Sequence, residues 1–356
     1  MKNKIKSFFQ IEHIRGKNTI KELELPINFN LIVTKKCNAS CVHCCANADK
    51  SQVGMDKKSL DKIIEVAKKN NLFYFVITGG EPLMYEHIWY LFDKLNDNFG
   101  VILNTNGTLI TKFVAKKLSK YNISNIHVSL DASTEDIYSK QRGSSTSLNE
   151  VLKGIKNLTS YGNNVSTKLI ITQINKDDIE NVIKLSISLG VKRIVLSWFK
   201  SVGRGKENEN SLEIKKDVET IMRKIYNLKK KYEAEIIVSL DNAQCFPFLI
   251  NKIESISYRK LCGDYFCRID LNGDVYPCPF LNIKLGNIFE DDLIDIWQNQ
   301  KLKELRHYNL AENLEGSCIE CSHRSMCTGG CKANSLTKYG NLKLKDPLCW
   351  IKNDRK

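Results

Sequence analysis

The 356-residue chain has no apolar run that approaches the roughly 18 residues of a membrane-spanning helix. Its N-terminal segment also lacks the continuous apolar stretch and small-residue cleavage site of a secretory signal. We therefore expect no membrane partner and a cytoplasmic, reducing location. In that setting, thirteen cysteines at short spacings indicate metal or redox chemistry rather than structural disulfides.

Acidic residues are in deficit, with 40 Asp and Glu against 54 Lys and Arg, so the formal net charge is +14. A net positive charge is typical of proteins that bind nucleic acid, a membrane surface or an acidic peptide. The lysines are spread along the whole chain, and the longest run, residues 229–231, is typical of a solvated helix end. We therefore do not expect nucleic acid as a partner.

The first strand-like segment is not followed by a Gly-x-Gly-x-x-Gly turn, which argues against a dinucleotide-binding fold. Continuous apolar strands that alternate with amphipathic helices indicate a parallel sheet covered by helices. We therefore predict an α/β fold, a partial (β/α)6 TIM-type barrel with its reactive face where the strands end. The predicted strands are residues 28–34, 73–78, 101–106, 125–130, 166–172 and 193–199.

The regular alternation stops before residue 240, and nine of the thirteen cysteines follow that point. We therefore predict three segments: an N-terminal extension (1–27), a barrel core (28–238) and a cysteine-rich domain (239–356). The extension is shorter than the roughly 50 residues of an independent domain.

Three thiols, Cys37, Cys41 and Cys44, come directly after the first predicted strand. A closed zinc site or an ordinary ferredoxin cluster uses four ligands, so three on one loop would leave one iron of a cubane open to an outside molecule. Adjacent residues rarely point into one site, so we expect Cys45 to be a buried thiol outside it. A zinc loop or chance cysteines are the alternative interpretation.

This spacing resembles the radical S-adenosylmethionine (radical SAM) superfamily. The resemblance implies a [4Fe–4S] cluster whose open iron binds S-adenosylmethionine, and a 5′-deoxyadenosyl radical that abstracts hydrogen. It also implies that the cofactor is held at the strand ends. The implied residues are Gly79, Gly80, Glu81 and Pro82 for the amino group, Asn106 after strand three, Ser129, Asp131 and Arg142 for ribose and carboxylate, and Leu196 with residues 202–205 for adenine.

A second set of cysteines follows the barrel, with C-x2-C pairs typical of metal knuckles. Their number exceeds the needs of one tetrahedral ion, and two zinc ions are one interpretation. Residues 269–280 predict a hairpin that turns at Asn272-Gly273. Residues 285–306 predict one amphipathic helix.

The spacing of these cysteines resembles the SPASM extension of radical SAM enzymes, which implies two auxiliary [4Fe–4S] clusters and three clusters in all. The eighth auxiliary ligand stays open between Cys267, Cys245 and an unligated iron. Whichever of the two cysteines is not a ligand is a buried thiol or a hydrogen-atom donor. The implied ligands are Cys318, Cys321, Cys327 and Cys349 for one cluster, and Cys262, Cys278 and Cys331 for the other.

SPASM enzymes mostly modify peptides, so the resemblance implies a precursor peptide as substrate and a thioether, an epimerised residue or a carbon–carbon bond as product. A leader would be bound by the barrel, the SPASM surface or a separate protein, and electrons would come from a flavodoxin or ferredoxin. Pro279 stands where sulfatase-maturating relatives have an Asp base, which argues against that activity. A haem-pathway enzyme and a zinc-knuckle nucleic-acid binder are the alternatives.

Overall fold

The computed structural model describes residues 23–51, 53–214, 216–241 and 262–351. Cys245 and most of the expected N-terminal extension lie outside these ranges. Within them, no helix combines the length and the apolar character that crossing a bilayer requires.

Six parallel strands form the centre of the sheet and pair in chain order. Each begins and ends within two residues of its predicted bounds, so the predicted α/β partial barrel is confirmed. The strands are β1 (Asn28–Ile32), β2 (Tyr74–Thr78), β3 (Gly100–Thr105), β4 (Ile123–Ser129), β5 (Val165–Ile171) and β6 (Arg193–Trp198).

Helices follow the strands, and local sequence sets their ends. Asp56 caps α1 by accepting from Ser59 N, and Ser147 and Glu150 form a reciprocal capping box at α5. The helices are α1 (Lys57–Lys69), α2 (Ile88–Leu95), α3 (Lys112–Leu118), α4 (Glu135–Arg142), α5 (Leu148–Ser160), α6 (Ile179–Ser188), α7 (Arg204–Glu207), α8 (Glu209–Leu212) and α9 (Val218–Lys231).

Four further strands extend the sheet at both edges. Strand β7 (Ile237–Asp241) pairs parallel with β6 and spans residue 238, the expected domain boundary. At the other edge, β8 (Phe266–Ile269) pairs parallel with β1 and forms the expected hairpin with β9 (Asp274–Tyr276). Strand β10 (Gly286–Asn287) completes the order β10-β9-β8-β1-β2-β3-β4-β5-β6-β7.

The C-terminal region contains short helices. The prediction of one helix over residues 285–306 is wrong, because the chain forms β10 and then two helices that are separated near Asn299. The Asn299 side chain accepts from Leu302 N at 3.1 Å and starts a new helix instead of continuing the old one. The helices are α10 (Leu293–Trp297), α11 (Gln300–Tyr308), α12 (Arg324–Cys327) and α13 (Lys332–Tyr339).

The two faces of the sheet differ in chemistry because successive side chains point in opposite directions. On the helix-covered face, Phe75 is fully buried, and its ring meets the edges of Phe29 and Phe99 at centroid distances of 5.8 and 5.0 Å. The opposite, concave face carries polar side chains such as Asn104 and His127.

We expect Phe75→Ala to lower the free energy of unfolding by about 3–5 kcal/mol, because it leaves a cavity at the centre of the helix-covered face. Phe113→Ala is the matched control, since Phe113 is 74% exposed and its loss should change stability by less than about 0.5 kcal/mol. Thermal unfolding of both variants measures the difference. Equal midpoints would contradict this description of the core.

Candidate active site and cysteine groups

The loop with the first three cysteines begins where β1 ends and is held by backbone hydrogen bonds. Val33 N donates to Thr78 O of β2 at 3.0 Å, and Cys37 N donates to Asp49 O at 2.7 Å. The thiols of Cys37, Cys41 and Cys44, called the barrel cysteines below, are therefore presented at the carboxyl ends of the strands.

The surroundings of these thiols suit an iron–sulfur cluster. Backbone N–H groups donate to the sulfurs of Cys37 and Cys44, both at 3.4 Å, and Arg142 Nη1 lies 3.7 Å from Cys41 Sγ. Burial raises the pKa of Cys41 to about 11, so a nearby cation such as iron is needed to hold its thiolate. Donors directed at sulfur together with partly buried thiols fit a bound cluster.

Within the described ranges, no three Cys, His, Asp or Glu side chains converge closely enough to hold a single metal ion. The thiolates of a cubane bind different irons, so they do not have to meet at one ion.

The two glycines after β2 allow close backbone approach to the cysteine loop. A Cβ at Gly80 would lie 2.2 Å from Lys36 O, and a Cβ at Gly79, which has φ +146°, would lie 2.4 Å from Thr34 O. These two positions therefore require glycine, because their backbone packs directly against the backbone of the cysteine loop.

Glu81 joins the ends of β2 and β3. It is fully buried, and its carboxylate accepts hydrogen bonds from Leu83 N (3.0 Å), Thr105 Oγ1 (2.8 Å) and Asn106 N (2.7 Å). Burial raises its pKa. Pro82 follows, is buried and begins a 3-10 turn.

Asn106 links the end of β3 to the cysteine loop. Its Nδ2 donates to Asn38 Oδ1 at 2.8 Å, while Asn38 Nδ2 donates to Thr108 Oγ1 at 2.8 Å. Asn106 Oδ1 accepts from the N–H and hydroxyl groups of Thr108. These bonds fix the segment between Cys37 and Cys41.

Asp131 and Arg142 form a buried ion pair beside Cys41. Arg142 Nε and Nη2 lie 2.7 and 2.6 Å from Asp131 Oδ2, and Ile170 N donates to Asp131 Oδ1 at 2.7 Å. With its Nη1 directed at Cys41, the guanidinium is engaged by protein atoms on all three nitrogens. The pair therefore braces the cysteine loop.

Ser129 lies on the concave face, beside a charge pair. It is opposite Lys168 in the β4–β5 register, and Lys168 Nζ is 3.3 Å from Asp241 Oδ2, which also accepts from Ser197 Oγ. Leu196 points the other way and is fully buried in the core. Its side chain therefore points away from the concave face, where the expected cofactor-binding role would have placed it.

Amide, imidazole and hydroxyl groups continue this face toward β3. His127 Nδ1 is 3.1 Å from Asn104 Oδ1, and Asn125 Nδ2 donates to Ser166 Oγ at 2.9 Å. The concave face is thus a polar, hydrogen-bonding wall.

Sequence reasoning missed the role of the segment after β6 as a support for the cysteine loop. Arg204 donates to Cys41 O at 2.9 Å and also to Ala48 O. A Cβ at Gly203, which has φ +58°, would lie 2.6 Å from Cys44 O. The glycine followed by an arginine is visible in the sequence, but nothing in the sequence identifies the cysteine loop as the partner of these two residues.

Two other residues of this loop lie next to the barrel cysteines in the chain. Cys45 is exposed as a residue, yet burial of its sulfur raises the pKa of the thiol to about 11, and the thiol interacts electrostatically with Lys168 and Arg268 of the concave face. His43 Nε2 is 3.5 Å from Asp131 Oδ2, and burial lowers the pKa of this imidazole to about 4, which keeps it neutral at pH 7.

Cys262, Cys278 and Cys331 lie together and are called the three-cysteine group below. The Cys262 thiol donates to the Cys278 sulfur, which lowers the pKa of Cys278, and Cys331 interacts electrostatically with Cys278. A backbone N–H also donates to Cys278 Sγ at 3.3 Å. The β8–β9 hairpin and the start of α13 bring these residues together.

Cys318, Cys321, Cys327 and Cys349 lie together as the four-cysteine group. Cys318 interacts electrostatically with Cys321 and Cys349, and Cys327 with Cys318 and Cys349. Burial raises the pKa of Cys327 to about 12, so this group also needs nearby cations to hold thiolates. The structure thus separates the C-terminal thiols into a set of three and a set of four.

Cys267 does not belong to either set. It is fully buried on the helix-covered face of β8, opposite Phe29, and burial raises its pKa with no contribution from another thiol. This placement favours, among the alternatives for Cys267, a buried thiol over a cluster ligand or a hydrogen-atom donor. Cys245, the other candidate, lies outside the described residues.

Comparison with known families agrees with this arrangement. The profile of the Radical SAM superfamily matches residues 31–186, which include the barrel cysteines and the ends of β1 to β5. The profile of the SPASM iron–sulfur cluster-binding domain matches residues 262–322.

Similar proteins cover nearly the whole chain. A mycofactocin maturase MftC of Mycobacterium tuberculosis is 27% identical over 337 residues, which are 92% of this chain and 83% of the relative. An AdoMet-dependent heme synthase of Methanosarcina barkeri is 25% identical over 347 residues, which are 91% of this chain and 96% of the relative.

Solved structures share the fold. Streptococcus suis SuiB bound to its precursor peptide SuiA superposes with a TM-score of 0.75 at 21% identity, covering 93% of this chain and 77% of SuiB. From its cysteine groups, its fold and both family matches, the chain belongs to the radical SAM superfamily and carries a C-terminal SPASM domain, which implies S-adenosylmethionine and [4Fe–4S] clusters as cofactors.

Proposed function

We propose that this radical SAM enzyme removes a hydrogen atom from a residue of a ribosomally made peptide. When bound, S-adenosylmethionine and its cluster supply the hydrogen-abstraction chemistry. Cys37, Cys41 and Cys44 hold that cluster, and the surrounding strand ends present the cofactor to the concave face. Of the expected cofactor-binding residues, Ser129 faces that cavity, whereas Glu81 and Arg142 chiefly hold the protein around the cluster.

The observation that carries the peptide proposal is the polar concave face. A peptide backbone offers N–H donors and C=O acceptors, and amide, imidazole and hydroxyl side chains such as Asn104, His127 and Ser129 pair with both. The ammonium of Lys168 is paired with Asp241. The amide, imidazole and hydroxyl groups of this wall therefore support a peptide substrate.

The seven C-terminal thiols support two auxiliary clusters, and so three clusters in total. The three-cysteine group has no fourth described thiol, because Cys267 faces the core. An iron with an open position could bind a substrate cysteine as thiolate, which makes a thioether the leading product. Epimerisation and carbon–carbon bond formation follow it, and epimerisation would need a hydrogen donor other than Cys267.

A haem-pathway activity is the second candidate, because the heme synthase of Methanosarcina barkeri is similar over 96% of its length. Its substrate class would be a tetrapyrrole carrying several carboxylates. Sulfatase maturation is disfavoured, since Pro279 has no titratable side chain and its carbonyl accepts from Arg268 Nη1 at 2.9 Å.

We also propose a reducing, cytoplasmic setting, which agrees with twelve described cysteines that form no disulfide. A flavodoxin or ferredoxin would supply electrons. The leader of the peptide would bind the barrel, the SPASM surface or a separate protein.

Replacing the three barrel cysteines together by alanine should remove about a third of roughly twelve irons, at four per cluster, and all cleavage of S-adenosylmethionine. The reason is that these thiols hold the one cluster that binds the cofactor. Iron analysis and assay of 5′-deoxyadenosine after anaerobic reconstitution measure both effects. Wild-type protein with stoichiometric zinc and almost no iron would overturn the proposal.

Single alanine variants of the four-cysteine group should lose product formation but retain detectable cleavage of S-adenosylmethionine. These thiols lie in the SPASM domain, outside the loop that binds the cofactor cluster. The matched comparison is Cys267→Ala, which should keep both activities if the variant folds, because its thiol faces the core. Loss of cofactor cleavage in a Cys318→Ala protein with an intact barrel cluster would contradict this division of roles.

Co-expression with a short peptide encoded beside the gene should yield a modified peptide. A thioether removes two hydrogens and lowers the mass by about 2 Da, whereas epimerisation leaves the mass unchanged and is detected by chiral analysis after hydrolysis. Fragmentation by mass spectrometry locates the altered residue. An unmodified peptide, together with turnover of a carboxylated tetrapyrrole, would refute the peptide proposal and support the second candidate.

A further inference from the structure

A lysine side chain is buried between the two C-terminal cysteine groups. Lys332 is 2% exposed and is the first residue of α13, directly after Cys331. Its ammonium interacts electrostatically with Cys262 and Cys331 of the three-cysteine group, and with Cys318 and Cys327 of the four-cysteine group. The side chain therefore contributes one charge that both groups share.

Among the described residues, no carboxylate forms an ion pair with this ammonium. Lys332 Nζ makes no hydrogen bond within the described part of the chain. The buried carboxylate of Asp346 is already engaged, because its oxygens accept from Cys331 N (2.9 Å), Leu348 N (2.9 Å) and Asn334 Nδ2 (3.0 Å). A buried ammonium without a partner is strongly disfavoured, so an anionic neighbour must offset it.

The fold leaves space for the lysine at this position. A Cβ at Gly329, which has φ +82°, would lie 3.2 Å from Lys332 Nζ and 2.8 Å from Leu314 Cδ2. Glycine therefore permits the positive φ at position 329 and leaves room for the side chain of Lys332. Thiolate-bound iron–sulfur clusters on both sides are the anions that fit this charge.

We propose that Lys332 raises the reduction potentials of both auxiliary clusters by placing a positive charge between them. A cluster with thiolate ligands becomes more negative when it accepts an electron, and a nearby cation stabilises the reduced form more than the oxidised form. Lys332 acts through the clusters and is a tuning residue rather than a catalytic one. This inference rests on the two auxiliary clusters of the proposed function.

The test compares Lys332→Met, which removes the charge at similar length, with Lys332→Arg, which keeps it. The matched control is Lys338→Met on the same helix, because Lys338 is 42% exposed and paired with Glu209 and Glu213. Redox titration followed by electron paramagnetic resonance reports the auxiliary clusters without any substrate. We expect Lys332→Met to lower the midpoint potential of the auxiliary clusters by about 59 mV for one electron. At the wild-type midpoint potential, the ratio of oxidised to reduced cluster is then about tenfold higher than in wild type. The other two variants should stay within about twofold of wild type.

Iron content separates the possible failures. Full iron with unshifted potentials in Lys332→Met would overturn the role of Lys332 and leave the proposed function intact. If Lys332→Met loses an auxiliary cluster and Lys332→Arg retains both clusters, the role of the charge is supported. If both variants lose a cluster, the shape of the side chain matters and the role of the charge is overturned. Wild-type protein without auxiliary iron would overturn the proposed function and this inference together.

Discussion

The buried carboxylate of Asp131 is the constraint on which the arrangement of the active site depends. It binds Arg142 from α4 and accepts from Ile170 N of β5, while its own backbone carbonyl accepts from Asn175. Arg142 in turn reaches Cys41 Sγ. An isolated carboxylate could not remain charged in this interior, so the guanidinium, the two strand ends and the cysteine loop must assemble together. This buried ion pair thereby couples the cysteine loop to α4 and to the ends of β4 and β5.

The pleat of the strands explains how one sheet serves both stability and chemistry. Along β6, Leu196 points into the core and Ser197 points to the concave face. Along β3, Leu103 points into the core and Asn104 points to the concave face. Because the alternation has a period of two, each strand contributes to the helix-covered core and to the cavity at once. The catalytic cavity therefore needs no separate supporting element.

Much of this organisation could be predicted from the sequence, because strands, helices and cysteine spacings are local patterns. The errors arose where the outcome depended on partners distant in the chain. Cys267 pairs with Phe29 across more than two hundred residues, and only that register shows that its thiol faces the core. Gly203 and Arg204 likewise contact a loop that precedes them by about 160 residues. Sequence position indicated the strand ends but not which side chains support the loop and which face the cavity.

The pairing of β8 with β1 joins the SPASM domain to the barrel through one continuous sheet. Arg268 of β8 stacks on Tyr276 at 3.9 Å and donates to Pro279 O, which follows Cys278 directly. From the other side, buried Lys200 at the end of β6 interacts electrostatically with Cys278 and Cys331. The three-cysteine group is thus connected both to the β8–β9 hairpin beside β1 and to the segment that follows β6.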